Sequence, residues 1–393
     1  MSARRAVPWI DHLRRRTTTG PWLPEIDGLR FIAILAVLLF HLQGQFDHRY
    51  SLAIHSPFAL AVRAFGFGNR GVQLFFVISG FILALPFARR HLSAAQAPPL
   101  RRYYLRRLTR LELPYMLNLI LVAAGAVVID HSSGVALLPH LLASMAYLHY
   151  AIFHSGSNIN SVAWSLEVEV QFYLVAPVLA TVFALRRTAL RRAALAAAML
   201  LAALLQFELK LSQFTLAGDL QYFLAGLLLA DFSLIYDGTS GSRKSRRFVW
   251  DIISFAGWPA FFLLGDSLSA VWLPVLALLL CLAAMRGEWT PRLLRKPALA
   301  IVGGMCYTIY LWHAPVLTVV DRALRAHPAL LPGNYLALYL VEALAKFTAV
   351  AALCLPLFVF VERPCMDPAW PRKLVSWLRQ TPSTAQGLVI DQT

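Results

Sequence analysis

Long apolar stretches recur along almost the whole chain and leave it few possible folds. Read as runs of ~20 mostly apolar residues, the length of helix that crosses a bilayer, they fall at 29–46, 70–88, 113–130, 168–185, 193–209, 219–236, 248–265, 268–285, 298–320 and 336–361. In hydrocarbon, backbone N–H and C=O groups find no water. A spanning segment must therefore satisfy them internally as a helix, or with neighbours in a closed barrel. Runs of this length are helical. The expected fold class is an all-α integral membrane protein, a bundle of about ten transmembrane helices.

Charge supports that reading and orients it. Only 14% of residues are charged and 59% are hydrophobic, whereas soluble domains carry about a quarter charged residues. The net charge of +16 would suit nucleic acid, but the basic residues sit in short clusters between apolar runs, which excludes it. Placing the N-terminus inside puts 28 of the 36 Lys and Arg on inner segments and 6 on outer ones, with Arg30 and Lys346 in or beside spans. Such a bias follows the positive-inside rule and implies cytoplasmic N- and C-termini. Residues 137–153 are apolar but hold His140 and His149, with His154 just beyond, and read as an interfacial or re-entrant segment on the outer side.

Three regions follow: a basic cytoplasmic segment 1–24, a membrane domain 25–365 and a short cytoplasmic tail 366–393. Residues 1–24 lack the apolar core and small-residue cleavage site of a signal peptide, so the first helix is expected to target the chain. No linker leads to a second globular domain, so no fused outer catalytic domain is expected. Cys281, Cys306, Cys354 and Cys365 match neither a zinc site nor a disulfide framework. They are assigned to packing, and no metal site is expected.

Ionisable residues inside the spans are costly and mark functional sites by default. In the first span, EIDGLRFIAILAVLLFHL, Arg30 and His41 are eleven residues apart. Eleven residues make three turns plus about 20°, so both side chains leave one face about 16 Å apart. The spacing suggests a cation and an imidazole aimed into one interior channel. Asp27 precedes Arg30 by three residues, a pairing distance on a helix. His41 has the chemistry of a general base near neutral pH. The second span, GVQLFFVISGFILALPFARR, carries Ser79–Gly80 in its middle. Gly80 lets another backbone approach closely. Ser79 either donates to a reacting carbonyl or bonds back to its own helix, the commoner habit.

The loop that follows holds RRYYLRRLTRLELPY, with Arg101, Arg102, Arg106, Arg107 and Arg110. Arg107 and Arg110 share a helical face, and arginine forks suit phosphates. Topology and anionic lipids account for most such clusters. Seven arginines in 25 residues, interleaved with Tyr103 and Tyr104, exceed that need and imply a polyanionic cytoplasmic substrate. At the outer entrance to the fourth span, SVAWSLEVEVQFYLVAP places Glu169, Phe172 and Tyr173 on one side. Glu169 is expected to face inward and orient His41 or an acceptor hydroxyl; Glu167 is expected to be solvated at the helix start. Later, GGMCYTIYLWHAPVL sets His313 among Tyr307, Tyr310 and Trp312, and FVFVERP ends the last span with Glu362.

Together these motifs resemble the acyltransferase 3 family of membrane O-acyltransferases. The resemblance covers about residues 25–365. It rests on DGLR with His41 eleven residues after Arg30, on GVQLFFVISGF, and on the Arg106, Arg107, Arg110, Pro114 pattern. WSLEVEVQFYLVAP resembles WSLxxExxFY, with Trp164 at its start and Glu169 as its glutamate; YTIYLWH and VERP resemble the closing motifs. Gln73 and Val170 stand where the family often has acids, and Glu167 where it often has Ser.

The resemblance implies an O-acetyltransferase of the cell inner membrane. It would move an acyl group, usually acetyl, from cytoplasmic acyl-CoA to a hydroxyl of a carbohydrate or glycolipid acceptor. Acyl-CoA would be a co-substrate, with no tightly bound cofactor. His41 would be the base, with Glu169 and Ser79 assisting. Arg30, Arg107 and Arg110 would hold acyl-CoA, and Asp27, Trp164, Tyr173, His313 and Glu362 are further site candidates. The alternative is a polytopic transporter of a sugar or lipid-linked saccharide without acyl transfer, although no paired repeats or matched broken helices are visible in the sequence.

Overall fold

The computed structural model describes residues 13–16, 22–50, 64–93, 99–236, 244–263, 271–373 and 376. Most of the basic segment 1–24 and of the tail 366–393 lies outside them. Among the described residues every regular element is helical. In chain order these are α1 Pro24–Tyr50, α2 Arg70–Leu92, α3 Leu100–Val128, α4 Gly134–Met145, α5 His149–Phe153 and α6 Trp164–Leu179. Then come α7 Thr188–Leu209, α8 Leu216–Tyr236, α9 Lys244–Leu263, α10 Trp272–Arg286, α11 Trp289–Leu294 and α12 Pro297–Gly304. The last are α13 Cys306–Ala326, α14 Tyr335–Leu357, a π-helical turn Phe358–Glu362 and α15 Arg363–Cys365.

Among the described residues, five helices are long and apolar enough to cross a bilayer: Gly66–Leu92, Leu100–Val128, Trp164–Ala184, Thr188–Leu209 and Leu336–Cys365. The pair α12 and α13, bent by 70°, makes a sixth. This criterion reaches five or six spans where the sequence reading expects ten.

Two local outcomes have clear causes. The expected span 298–320 is not one straight helix. It breaks after Gly303–Gly304, residues of low helix propensity, and a Cβ at Gly303 would collide with the Asp27 carbonyl of α1. Residues 137–153 do not cross. With 12 residues, α4 is about 18 Å long, short of the ~30 Å hydrocarbon core. Left-handed backbone at Tyr147 and His154 (φ 57° and 52°) then turns the chain on either side of α5.

The bundle centre is the crossing of α2 and α8. Cβ atoms at Gly80 and Gly226 would run into the Phe223 and Val77 carbonyls respectively, so the two backbones touch, as small residues allow in membranes. Phe223 stacks on Phe76 of α2 and Phe172 of α6, at 4.7 Å and 4.1 Å between ring centroids. This aromatic stack fixes α2 against α6, the two helices that carry Ser79 and Glu169. On the far side of α8, Asp231 is fully buried and takes Arg191 and Arg192 of α7.

Candidate active site

A cavity of about 100 Å³ lies where α1, α2, α3, α6 and α13 meet, lined by Arg30, Ser79, Arg107, Arg110, Glu169 and Tyr173 among others. Each cation in it is held by a local device. Asp27 accepts from Arg30 at 2.6 Å, from the Trp22 indole at 2.7 Å and from Arg15 at 3.3 Å. The i,i+3 pairing of Asp27 with Arg30 expected from sequence is thus present, and Asp27 steers the guanidinium. The Arg107 guanidinium lies 5.9 Å from the ring centres of both Tyr103 and Tyr173, within cation–π range. Pro177 has no N–H to offer the Tyr173 carbonyl one turn earlier. The Tyr103 hydroxyl takes that carbonyl at 3.3 Å, which ties α3 to α6 beneath Arg107.

Glu362 is fully buried in the π-helical turn, a feature frequent at functional sites. It accepts from the Thr308 amide and hydroxyl at 3.1 Å and 2.6 Å, and Arg110 stands 3.9 Å away. Ser79 does not bond back to its own helix; its hydroxyl donates to Glu169 across the α2–α6 interface. Cys306 also lines this cavity, while Cys281, Cys354 and Cys365 are buried free thiols.

His41 is elsewhere. It lines a second cavity, about 520 Å³, with Gln45, His48, Asp321 and Arg325. The two cavities share no lining residue. Between them stands one turn of α13. Tyr310 lines the arginine cavity, its ring 5.6 Å from that of His313, and His313 is 5.0 Å from the ring of His41. Ser165 meets the Tyr310 hydroxyl at 2.7 Å. Pro315 frees the Leu311 carbonyl by the same missing N–H, and Asn118 and Asn160 donate to it at 3.0 Å and 2.9 Å. Next to the His41 cavity, and sharing Thr318 and Arg322 with it, an apolar groove of about 640 Å³ runs past Trp312, Pro315 and Val319.

Several expectations are corrected by this geometry. Arg30 and His41 do not open into one channel. The helical spacing aligns their azimuths, but the axial rise between them lets the Tyr310–His313 turn fill the gap. Glu169 does not orient His41. It lines the arginine cavity, bonded to Ser79 of α2, and is absent from the lining of the His41 cavity. Glu167 is not solvated; it is 2% exposed. Its carboxylate accepts the His149 and Tyr150 amides at 3.2 Å and 3.1 Å, capping a helix that only the folded chain brings near. Trp164 lines neither cavity and packs edge-on to Phe76 and Phe214. The sequence reading also missed Ser165, Asn118 and Asn160. Pro315, four residues after Leu311, was the available signal that a carbonyl there needs side-chain donors.

The family described as "Acyltransferase domain" matches residues 23–361. The O-acetyltransferase OatA of Staphylococcus aureus (strain NCTC 8325 / PS 47) is 25% identical over 336 residues, covering 76% of this chain and 51% of the relative. OatA of strain COL matches with the same figures. Further Staphylococcus aureus relatives are 23% identical over 331 residues, again covering 76% of this chain and 51% of their own length. The chain therefore spans about half the length of the curated relatives it matches. No solved structure gives a significant match.

Proposed function

This chain belongs to the acyltransferase domain family, and on that premise we propose that it is a membrane O-acetyltransferase. It would move acetyl from cytoplasmic acetyl-CoA to a hydroxyl of a cell-envelope carbohydrate or glycolipid, with His41 as general base. The proposed setting is the inner membrane, with ten spans and both ends cytoplasmic. The 28-to-6 distribution of basic residues supports this setting.

The observation that carries the reading is the histidine pair between two chemically different cavities. The arginine cavity suits the donor. Arg30, Arg107 and Arg110 offer charge-assisted hydrogen bonds to the phosphates of coenzyme A. The Nε of Arg110, which lines that cavity, is buried with no partner, so donor capacity is unspent there. The pantetheine arm would lead the thioester inward past Ser79, and Tyr310 would move aside to admit the acetyl group toward His41. The His41 cavity suits the acceptor, since Gln45, Asp321 and Arg325 present groups that recognise sugar hydroxyls.

The acceptor oxygen attacks the thioester carbonyl while His41 takes its proton. The C–S bond then breaks, and the His41 imidazolium returns that proton to the leaving thiolate. Base catalysis of this kind contributes about 10²–10⁴-fold. Ser79, released from Glu169, would donate to the oxyanion. A sugar transporter has no use for the arginine cavity beside a family match of this kind, and no observation favours it.

The test is acetyl transfer from radiolabelled acetyl-CoA to envelope glycan, by the purified chain in lipid nanodiscs. His41→Ala should abolish transfer with the fold intact. Full activity in that variant removes His41 from the scheme. Loss of the gene should leave an envelope glycan lighter by one acetyl unit in mass spectrometry.

A further inference from the structure

The scheme above uses one histidine of the pair, and the geometry of the other assigns it a task. His313 is fully buried. Its Nδ1 lies 2.7 Å from the Tyr310 carbonyl oxygen and 3.1 Å from that of Ile309. A carbonyl oxygen only accepts, so Nδ1 must carry the ring proton. In neutral imidazole the other nitrogen is then an acceptor with a free lone pair. That Nε2 is buried and has no partner. A buried polar atom left unpaired is rare and calls for a reason. The nearest imidazole is His41, its ring centroid 5.0 Å away at a 54° tilt.

We infer that His313 is a positioning residue that fixes the tautomer of His41. In the loaded enzyme the His313 Nε2 accepts the ring N–H of His41. The other nitrogen of His41 is then left with its lone pair, turned toward the cavity it shares with Gln45 and Asp321. The role is that of the third member in a nucleophile–base–orienter set. Hydrogen bonds of this kind are often long in unliganded sites and tighten when substrate binds. With His313 held by its Nδ1 bonds, rotation of the His41 ring from the observed tilt would turn one of its nitrogens toward the His313 Nε2. The inference rests on His41 being the base.

A carboxylate would be the usual orienter, and the nearest candidate is committed elsewhere. Asp321 lines the His41 cavity, but it accepts from Arg325 at 2.6 Å and from buried Lys346 at 3.2 Å. Glu169 belongs to the arginine cavity. The histidine therefore supplies what no uncommitted carboxylate among the described lining residues does. When His41 takes the acceptor's proton, its bonded N–H still faces a neutral lone pair. That arrangement steadies the imidazolium without leaving a second full charge in the bundle.

The experiment compares wild type, His313→Ala and His313→Gln as full chains in nanodiscs. Acetyl-CoA is the donor, and the acceptor is glycan prepared from cells lacking the gene. His313→Ala should lower kcat on the order of 10²-fold, part of what a base contributes. KM for acetyl-CoA and the thermal midpoint should be unchanged. His313→Gln, whose amide oxygen can accept, should recover most of that loss. Nitrogen-15 NMR of labelled histidine, recorded with coenzyme A and the glycan present, should show one His41 tautomer in wild type and a mixture in His313→Ala. Wild-type kcat in His313→Ala overturns the inference, as do equal losses in the two variants or a tautomer mixture in wild type. The NMR signal does not need turnover. It therefore decides this role even where no acetyl transfer is found, the outcome that would sink the proposed function instead. It also decides on wild type alone if His313→Ala does not fold.

Discussion

Ser79 of α2 donates its hydroxyl to the carboxylate of Glu169 on α6, inside the cavity that also holds Arg30, Arg107 and Arg110. Hydrogen bonds between membrane helices average only about 0.6 kcal/mol, with a maximum near 1.7, so this bond is a weak fastener. A functional role should show as a mismatch between stability and rate. Ser79→Ala should shift the thermal midpoint by no more than a few degrees while lowering acetyl transfer at least tenfold. Glu169→Gln keeps an acceptor for Ser79 and should lose less than Glu169→Ala. Parallel unfolding scans and initial rates on the three variants check this; equal small losses in both readouts would reduce the pair to packing.

The arginine cavity should affect donor binding more than chemistry. Arg107→Ala should raise KM for acetyl-CoA about tenfold, worth about 1.4 kcal/mol, with kcat little changed, the pattern of uniform binding lost. Arg107→Lys should not restore it fully, because a point charge lacks the fork and the ring contact with Tyr103 and Tyr173. Steady-state kinetics against acetyl-CoA concentration provides the measurement.

Backbone contact at Gly80 predicts intolerance to a single methyl group. Gly80→Ala must push α2 off the Phe223 carbonyl and should cost about 1–3 kcal/mol, the usual range for overpacking. Gly125→Ala, where a Cβ meets nothing within 4 Å, should be neutral or stabilising. Thermal unfolding in one detergent compares them directly.

The freed Leu311 carbonyl makes Pro315 and Asn160 energetically coupled. Asn160→Ala takes one of two side-chain donors from a carbonyl that Pro315 cannot satisfy, and it also removes a donor to Asn118 at 2.7 Å. In a Pro315→Ala background the helix supplies its own N–H, and the same change should cost less. A double-mutant cycle should give a coupling of at least about 0.5 kcal/mol. Simple additivity would show that the asparagines serve another purpose.

Local periodicity made part of this site legible and hid the rest. The spacing of Asp27, Arg30 and His41 along one helix forecast their pairing and their shared azimuth. It carried no information about what packs between them. That is decided by Tyr310 and His313, some 270 positions later in the chain, and no repeat in a sequence reports such a contact. The acids of α6 show the same limit. Two residues apart on a helix, Glu167 and Glu169 point about 200° from one another, so opposite surroundings were readable. Which one would be covered depended on α5 folding back over Glu167. The bend between α12 and α13 was visible in the sequence as Gly303–Gly304, yet overall hydropathy hid it inside a continuous apolar run.

The wall of Tyr310, His313 and His41 between the two cavities has a consequence for the cell's energy supply. A membrane that stores voltage and ion gradients cannot host an open aqueous pore, because protons and ions would flow down it and dissipate the stored work. Under the proposed function a bulky donor would stay at one end, the recipient at the other, and only a two-carbon fragment would have to slip through. Chemistry would then cross the barrier while the insulation holds.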